Sequence, residues 1–185
     1  MRSAILASVA LFIAALPGQV GAAETTTRVL TAAHSHAIFA VTHLYVAKVT
    51  GTVPIVSGSA TYGTSPTTPI SVEATLNARR VKTDDGDRDD DLQGPDWFDT
   101  KRFPMWTFHS TSISPAASGF MMQGTLTIHG VARPVALAVQ QTHGLPHPAY
   151  HAVGHVDRHA FGMKITPQDG LIGSDVELTL DVEFE

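Results

Sequence analysis

From Gly124 to Val135 the chain reads G-T-L-T-I-H-G-V-A-R-P-V: a Thr/Ile-rich run, a turn marker and a second apolar run. Residues branched at Cβ favour extended backbone, and a glycine between two such runs supplies the freedom that a tight reversal needs. The stretch therefore predicts a β-hairpin. Leu126 and Ile128 fall on one face of the first run, with Thr125, Thr127 and His129 on the other. One face needs a cover of protein while the other can meet water.

The same period of two returns along the chain. Ile70, Val72, Ala74 and Leu76 alternate with Ser71, Glu73, Thr75 and Asn77, and Val176, Leu178, Leu180, Val182 and Phe184 alternate with Asp175, Glu177, Thr179, Asp181 and Glu183. Further strands are expected near 36–43, 45–53, 57–63, 104–113, 119–129, 132–142 and 150–159, separated by Gly, Pro, Ser and Thr clusters. Many short one-sided strands with few helices predict an all-β sandwich or barrel. The chain has no cysteine, so packing or a closed sheet must hold it together without disulfides.

The first residues follow another logic. Arg2 supplies a positive start, Ala4 to Leu16 an apolar stretch, and Pro17, Gly18 and Gly21-Ala22-Ala23 a run of small and turn-forming residues suited to cleavage. The 13 residues from Ala4 to Leu16 fall short of the ~20 that a membrane-spanning helix requires, which favours a secretory signal peptide over an uncleaved anchor. Residues 1–23 are thus expected to be a signal peptide and 24–185 a single domain, exported to the periplasm. Its 162 residues can bury a sizeable core. The formal net charge is −5, or −6 without Arg2, and no basic stripe occurs, which argues against nucleic acid as a partner.

Between Asn77 and Phe103 charge replaces alternation. Asp84 to Asp91 holds six aspartates in eight residues. Asp85, Asp87 and Asp89 occupy alternate positions as in a calcium-binding EF-hand loop, but the sixth position is Asp90 rather than glycine and the twelfth is Asp96 rather than glutamate. The expectation is a solvated connection with a short helical or loop insertion near 86–98, whose Leu92, Trp97 and Phe98 cap one end of the sheet.

Ten histidines call for an explanation, and His143, His147, His151, His155 and His159 recur every four residues. Gly144, Pro146, Pro148 and Gly154 would break a helix carrying that seam. On a strand starting near Tyr150, His151, His155 and His159 share one face, but neighbouring members stand roughly 13 Å apart, too far to share one zinc or copper ion. A metal site within one strand is not expected, and a site assembled across strands stays open. Hydrolytic chemistry lacks its usual signatures: there is no G-x-S-x-G, no H-E-x-x-H and no cysteine nucleophile. Ser35 lies beside His34 and His36, but adjacent strand residues point to opposite faces. The chain is not expected to be an enzyme.

Four segments in order carry a resemblance. They are H-S-H-A-I-F-A-V-T-H from His34 to His43, T-F-H-S-T from Thr107 to Thr111, the hairpin opened by Gly124, and R-H-A-F-G from Arg158 to Gly162 followed by G-S-D-V-E-L from Gly173 to Leu178. Together they resemble the YceI-like family of periplasmic isoprenoid-binding proteins over about Thr31 to Glu183. The chain departs from that family's frequent R-D-x-H-L, reading R-D-D-D-L from Arg88 to Leu92, with Asp91 in the histidine's place.

The resemblance implies an extended antiparallel, lipocalin-like barrel of about eight strands around an elongated apolar pocket. No cofactor is implied and no reaction: the ligand would be an isoprenoid lipid, such as a quinone or a prenyl phosphate, or a similar long amphiphile. Thin or flexible apolar groups such as Ala60, Ala74, Ala136, Ala138, Met121 and Met122 suit a slot for one chain. Candidate lipid contacts are Phe39, Val41, Phe108, Met122, Leu126, Ile128, Ala138 and Phe161, and candidate head-group contacts are His43, His129 and Arg158. For Arg158 a structural ion pair competes with ligand contact, and the facing of Ala138 is ambiguous because Val135, Leu137 and Val139 form an equally apolar opposite face. Transient contact with a membrane or membrane protein, and a homodimer, are compatible with such a carrier. The competing reading is a metal- or stress-related periplasmic binding module built on the histidines.

The leader reading predicts that the protein recovered from the periplasm begins near Glu24. Intact mass decides it; retention of Met1 to Ala23 in the soluble fraction would count against export by this route.

Overall fold

The computed structural model describes residues 24–44, 46–163 and 169–185; the expected signal peptide at 1–23 lies outside the described residues. Ten strands are described. β1 (Thr26–Val29), β2 (His36–His43), β3 (Ala47–Thr52), β4 (Ile55–Tyr62) and β5 (Pro69–Asn77) are followed by one α-helix, α1 (Gly86–Gln93). Then come β6 (Met105–Pro115), β7 (Phe120–Ile128), β8 (Val131–His143), β9 (Ala149–Asp157) and β10 (Ile172–Glu183). All pair antiparallel in one sheet, in the order β1-β4-β5-β6-β7-β8-β9-β10-β2-β3. The all-β barrel-like class expected from the alternation is therefore what forms, with ten strands rather than about eight.

One extra strand is β1, whose polar Thr-Thr-Arg-Val gives no alternation to read. Its position explains its use. Leu30 N–H donates to the Gly58 carbonyl at 2.9 Å, Thr31 N–H to Glu183 at 2.8 Å and Val29 N–H to Glu185 at 3.0 Å. The backbone from Val29 to Thr31 thus stitches β4 to the end of β10, drawing the curled sheet together. On the far side the edge strand β3 is tied to the excursion between β5 and β6, where Thr52 and Lys82 exchange backbone hydrogen bonds of 2.7 and 3.0 Å.

Alternation then decides what the curl encloses. Leu178, Leu180, Val182 and Phe184 face the interior cavity, as do Leu126 and Ile128. The run at 70–76 needs a correction: Val72, Ala74 and Leu76 face inward, but Ile70 is 58% exposed. In the β4–β5 ladder Thr61 pairs with Ser71 and Tyr62 with Pro69, so Ile70 is the extra residue of a bulge and Pro69 takes the inward place.

The hairpin is tight. Ile128 pairs with Val131, leaving His129 and Gly130 as its two turn residues, with φ of 54° and 74°. Two positive φ values match the twist of the flanking strands. A Cβ at Gly130 would run into the Phe103 ring, so space as well as backbone conformation demands glycine there.

The excursion from Ala78 to Phe103 carries α1. Asp85 caps it, its Oδ1 accepting from the Arg88 N–H at 3.1 Å. Asp89 is buried on the inner side, where one carboxylate oxygen accepts from both the amide and the hydroxyl of Thr83, at 2.7 and 2.8 Å, and the other from Lys82 at 3.1 Å. Beyond the helix Phe98 packs edge-on against Trp106, with ring centroids 4.7 Å apart, and against Phe39 at 6.4 Å. The aspartate run thus forms a capped helix, and the aromatic residues after it close one end of the sheet.

Desolvation alone would raise the pKa of Asp89, but the hydrogen bonds from Thr83 and Lys82 outweigh it and hold the carboxyl below its ordinary 3.8. The folded value lies below the unfolded one. The stabilisation is therefore complete above about pH 4 and is lost as pH falls through the lower folded value. Asp89→Asn should melt at a lower temperature than the parent across pH 5 to 8, with the gap narrowing below the ordinary carboxylate range. Melting curves at stepped pH check this; a gap that widened in acid would contradict it.

Candidate ligand-binding cavity

Inside the curl lies a cavity of about 120 Å³, lined by side chains of the inner faces of the strands and by Leu30. Every lining residue is apolar or aromatic, and only Trp106 and Tyr150 carry a polar atom. The Tyr150 hydroxyl donates to the Thr67 carbonyl at 2.7 Å and lies 3.1 Å from the Tyr62 hydroxyl. Burial first, then their mutual contact, pushes the Tyr150 pKa far up, and burial raises that of Tyr62, so both remain neutral. The Trp106 indole N–H is buried without a hydrogen-bond partner among the described residues. A water molecule needs two to four polar partners to stay in such a space, and apart from these two groups the lining is entirely apolar. Its natural occupant is hydrocarbon.

A second cavity, of about 560 Å³, adjoins it at the end where α1 sits. Phe39 lines both, and so forms the partition between a dry chamber and a mixed vestibule. One side of the vestibule is apolar: Val41 and Val49 from the hairpin of β2 and β3, Ile172 at the start of β10, and Leu92 and Trp97. The other side presents Thr83, Arg88, Asp90, Asp91 and Asp96. Arg88 is engaged by neighbouring protein groups. Its Nε donates to Thr83 Oγ1 and its Nη2 to the Thr83 carbonyl, both at 2.8 Å, while Nη1 stands 3.7 Å from Asp85.

Of the residues expected to touch lipid, Phe39, Phe108, Met122, Leu126 and Ile128 line the chamber, and Val41 lines the vestibule. Ala138 faces out: along β8 the burial alternates so that Val135, Leu137 and Val139 point inward, which settles the ambiguity between two equally apolar faces. Phe161 is fully buried but lines neither cavity; it lies in the 3₁₀ turn Arg158–Phe161 after β9. Ala60 is likewise buried without lining either, and Ala136 is exposed.

The head-group candidates are not brought to one wall. His43 lines the vestibule. His129 packs edge-on against Phe103 at 5.1 Å, with Nδ1 3.3 Å from the Phe161 carbonyl. Arg158 is 3% exposed, donates through Nε to Gly173 O at 2.9 Å and through Nη2 to Ile172 O at 3.1 Å, and stacks on Trp97 with its guanidinium carbon 5.3 Å from the ring centre. It ties the irregular start of β10 to the vestibule wall. Sequence reasoning missed Leu137 and Val139, which lie in a run apolar on both faces, Ala152, which lies on the face of β9 opposite His151 and His155, and Trp106, whose neighbour Met105 is equally apolar and stands 47% exposed.

The histidines expected on one face of β9 meet carboxylates on β10: His151 Nδ1 lies 2.8 Å from Asp181, and His155 Nδ1 2.9 Å from Asp175. His34 reaches Glu183 at 3.0 Å in the same manner. Among the described residues no group of three or more His, Cys, Asp or Glu side chains could hold a metal ion.

Comparison with known proteins gives a consistent pattern. The model of the YceI-like domain matches residues 29–184. The UPF0312 protein of Shewanella oneidensis is 32% identical over 160 residues, 82% of each chain, and that of Yersinia pestis is 29% identical over 156 residues, 81% of this chain and 80% of the other. Among solved structures, BcnA of Burkholderia cenocepacia superposes with a TM-score of 0.71 at 21% identity, covering 83% of this chain and 98% of its own. A polyisoprenoid binding domain from Saccharophagus degradans gives 0.64 at 15% identity, covering 88% and 99%.

Arg158→Ala should test the structural role just described. Each hydrogen bond from a charged donor contributes about 1.5–3 kcal/mol, so losing those to Gly173 and Ile172 should cost about 3 kcal/mol or more. Thermal denaturation should then show a fall of roughly 6–12 °C for a domain of this size. An unchanged midpoint would remove Arg158 from the framework.

Proposed function

Because the chain belongs to the YceI-like family, we propose that it is a non-catalytic binding protein that carries a long-chain amphiphile of the isoprenoid type, a quinone or similar lipid, in the periplasm. In this reading residues 1–23 are removed on export and 24–185 form a single binding domain, loaded through transient contact with a membrane or a membrane protein. The observation that carries it is the dry chamber opening past Phe39 into a partly polar vestibule. An amphiphile needs both compartments, in that order.

Magnitudes support the division. Burying about ten methylene equivalents yields on the order of 8 kcal/mol gross at ~0.8 each, near micromolar affinity before ordering costs are subtracted. The chamber alone is close to the size that accepts a single ring in an engineered protein core. A full chain must therefore shift Phe39 and continue into the vestibule. The description of the Saccharophagus degradans domain as polyisoprenoid-binding supports the isoprenoid class. The alternative use of the histidines for metal is less well supported, because His34, His151 and His155 are engaged by carboxylates.

The test is a chamber-filling substitution at a position that faces inward. Ala152 lines the chamber and is 6% exposed. Ala152→Phe should leave the fold intact while cutting the amount of lipid recovered by organic extraction and native mass spectrometry by about tenfold. Unchanged lipid on the folded variant would refute the chamber as the binding site.

A further inference from the structure

The sharpest unused feature is the charge of the vestibule. A ligand whose tail fills the chamber must place its polar end there, because the opposite end is closed by the buried Tyr62 and Tyr150 hydroxyls and the Thr67 carbonyl. Among the described residues the vestibule wall carries the carboxylates of Asp90 and Asp91, that of Asp96, which is engaged by a further contact, and one guanidinium, that of Arg88. The carboxylates of Asp90 and Asp91 are exposed on α1. Among the described residues, the neighbouring cations are engaged by protein groups: Arg88 by Thr83 and Asp85, Lys82 by Asp89, and Arg158 by the backbone of β10 and the Trp97 ring. Asp87 adds a further negative charge to the same helix.

We infer that the cavity discriminates by head-group charge, preferring an amphiphile with a cationic end, tolerating a neutral one and disfavouring a phosphate. The inference rests on the binding reading above and deepens it. The ligand site is the cavity itself; the carboxylates only bias what its polar end can carry. Two mechanisms act together. An anionic head would be repelled by Asp90 and Asp91 at short range, and among the described residues the guanidinium forks beside it, those of Arg88 and Arg158, are already turned to protein acceptors. A primary ammonium would gain what the phosphate loses. A hydroxyl or carbonyl head could still hydrogen-bond His43, in the wall, without a charge term.

A series with one tail isolates the head. Delipidated protein is titrated with geranylgeranylamine, geranylgeraniol and geranylgeranyl phosphate at pH 8, above the ordinary range of imidazole, so that any histidine contribution is that of the neutral ring. The two tryptophans stand in the two compartments, Trp106 in the chamber and Trp97 in the vestibule, so their fluorescence reports entry directly. At about 10 mM salt the amine should bind tightest and the phosphate at least about tenfold weaker than the alcohol. At 0.5 M salt the spread should shrink, because exposed charges are then screened within a few ångströms. Asp90→Asn/Asp91→Asn, on the exposed face of α1, should bring phosphate and alcohol within about threefold of each other at low salt.

Phosphate binding as tight as the alcohol at low salt would overturn the inference, as would a spread that survives both the salt and the double substitution. If none of the three ligands enters the folded protein, the binding reading itself fails and takes this inference with it. The two failures are thus told apart by the alcohol alone.

Discussion

A sheet with one apolar face and no second layer to cover it has a single way out, which is to curl until that face covers itself. Everything else in this structure follows from that constraint. The only α-helix described has eight residues, with one leucine against four aspartates and an arginine, so it cannot serve as a covering layer. The curl is drawn shut instead by backbone hydrogen bonds from Val29 to Thr31, which reach both Gly58 and the last residues of the chain. Those bonds involve no side-chain chemistry. They act because an unpaired sheet edge and an exposed Leu-rich inner face are costly at the same time.

Closure by curling does not fill the interior. Side chains that converge from many strands toward one axis leave space wherever their lengths do not match, and here Ala37, Ala74 and Ala152 stand among the larger residues of the chamber wall. In the proposed reading the same inner face both stabilises the fold and forms the binding surface. That dual use explains why the Tyr62–Tyr150 pair is tied off by the Thr67 carbonyl: a loose hydroxyl in the wall would hold water and weaken both roles.

What could be read from the residues alone follows from the same geometry. The run Val176 to Phe184 and the hairpin at Gly130 were legible because alternation and turn chemistry are local, and the segment after the aspartates because apolar side chains following a charged run must find a core. Ile70 was not legible, since a bulge is decided by the partner strand: Tyr62 pairs with Pro69, and nothing in residues 69–76 announces it. Ala138 was ambiguous for a different reason, as β8 is apolar on both faces through Val135 to Val139 and only the curl distinguishes inside from outside. Arg158 was legible as a special residue, but its two backbone acceptors, Gly173 and Ile172, lie across a segment whose path no pattern predicts.

The vestibule is the part of the structure that strand physics does not dictate. It exists because the chain leaves the sheet between Asn77 and Met105 and returns with Phe98 wedged between Phe39 and Trp106. That wedge couples the two compartments: Phe39 and Trp106 both line the chamber, and Phe98 touches both, so a chain displacing Phe39 presses on the segment that carries α1. The helix is held in turn by the buried Asp89 and its bonds to Thr83 and Lys82. Three aromatic rings thus connect the wall of the chamber to the segment that carries the acidic helix.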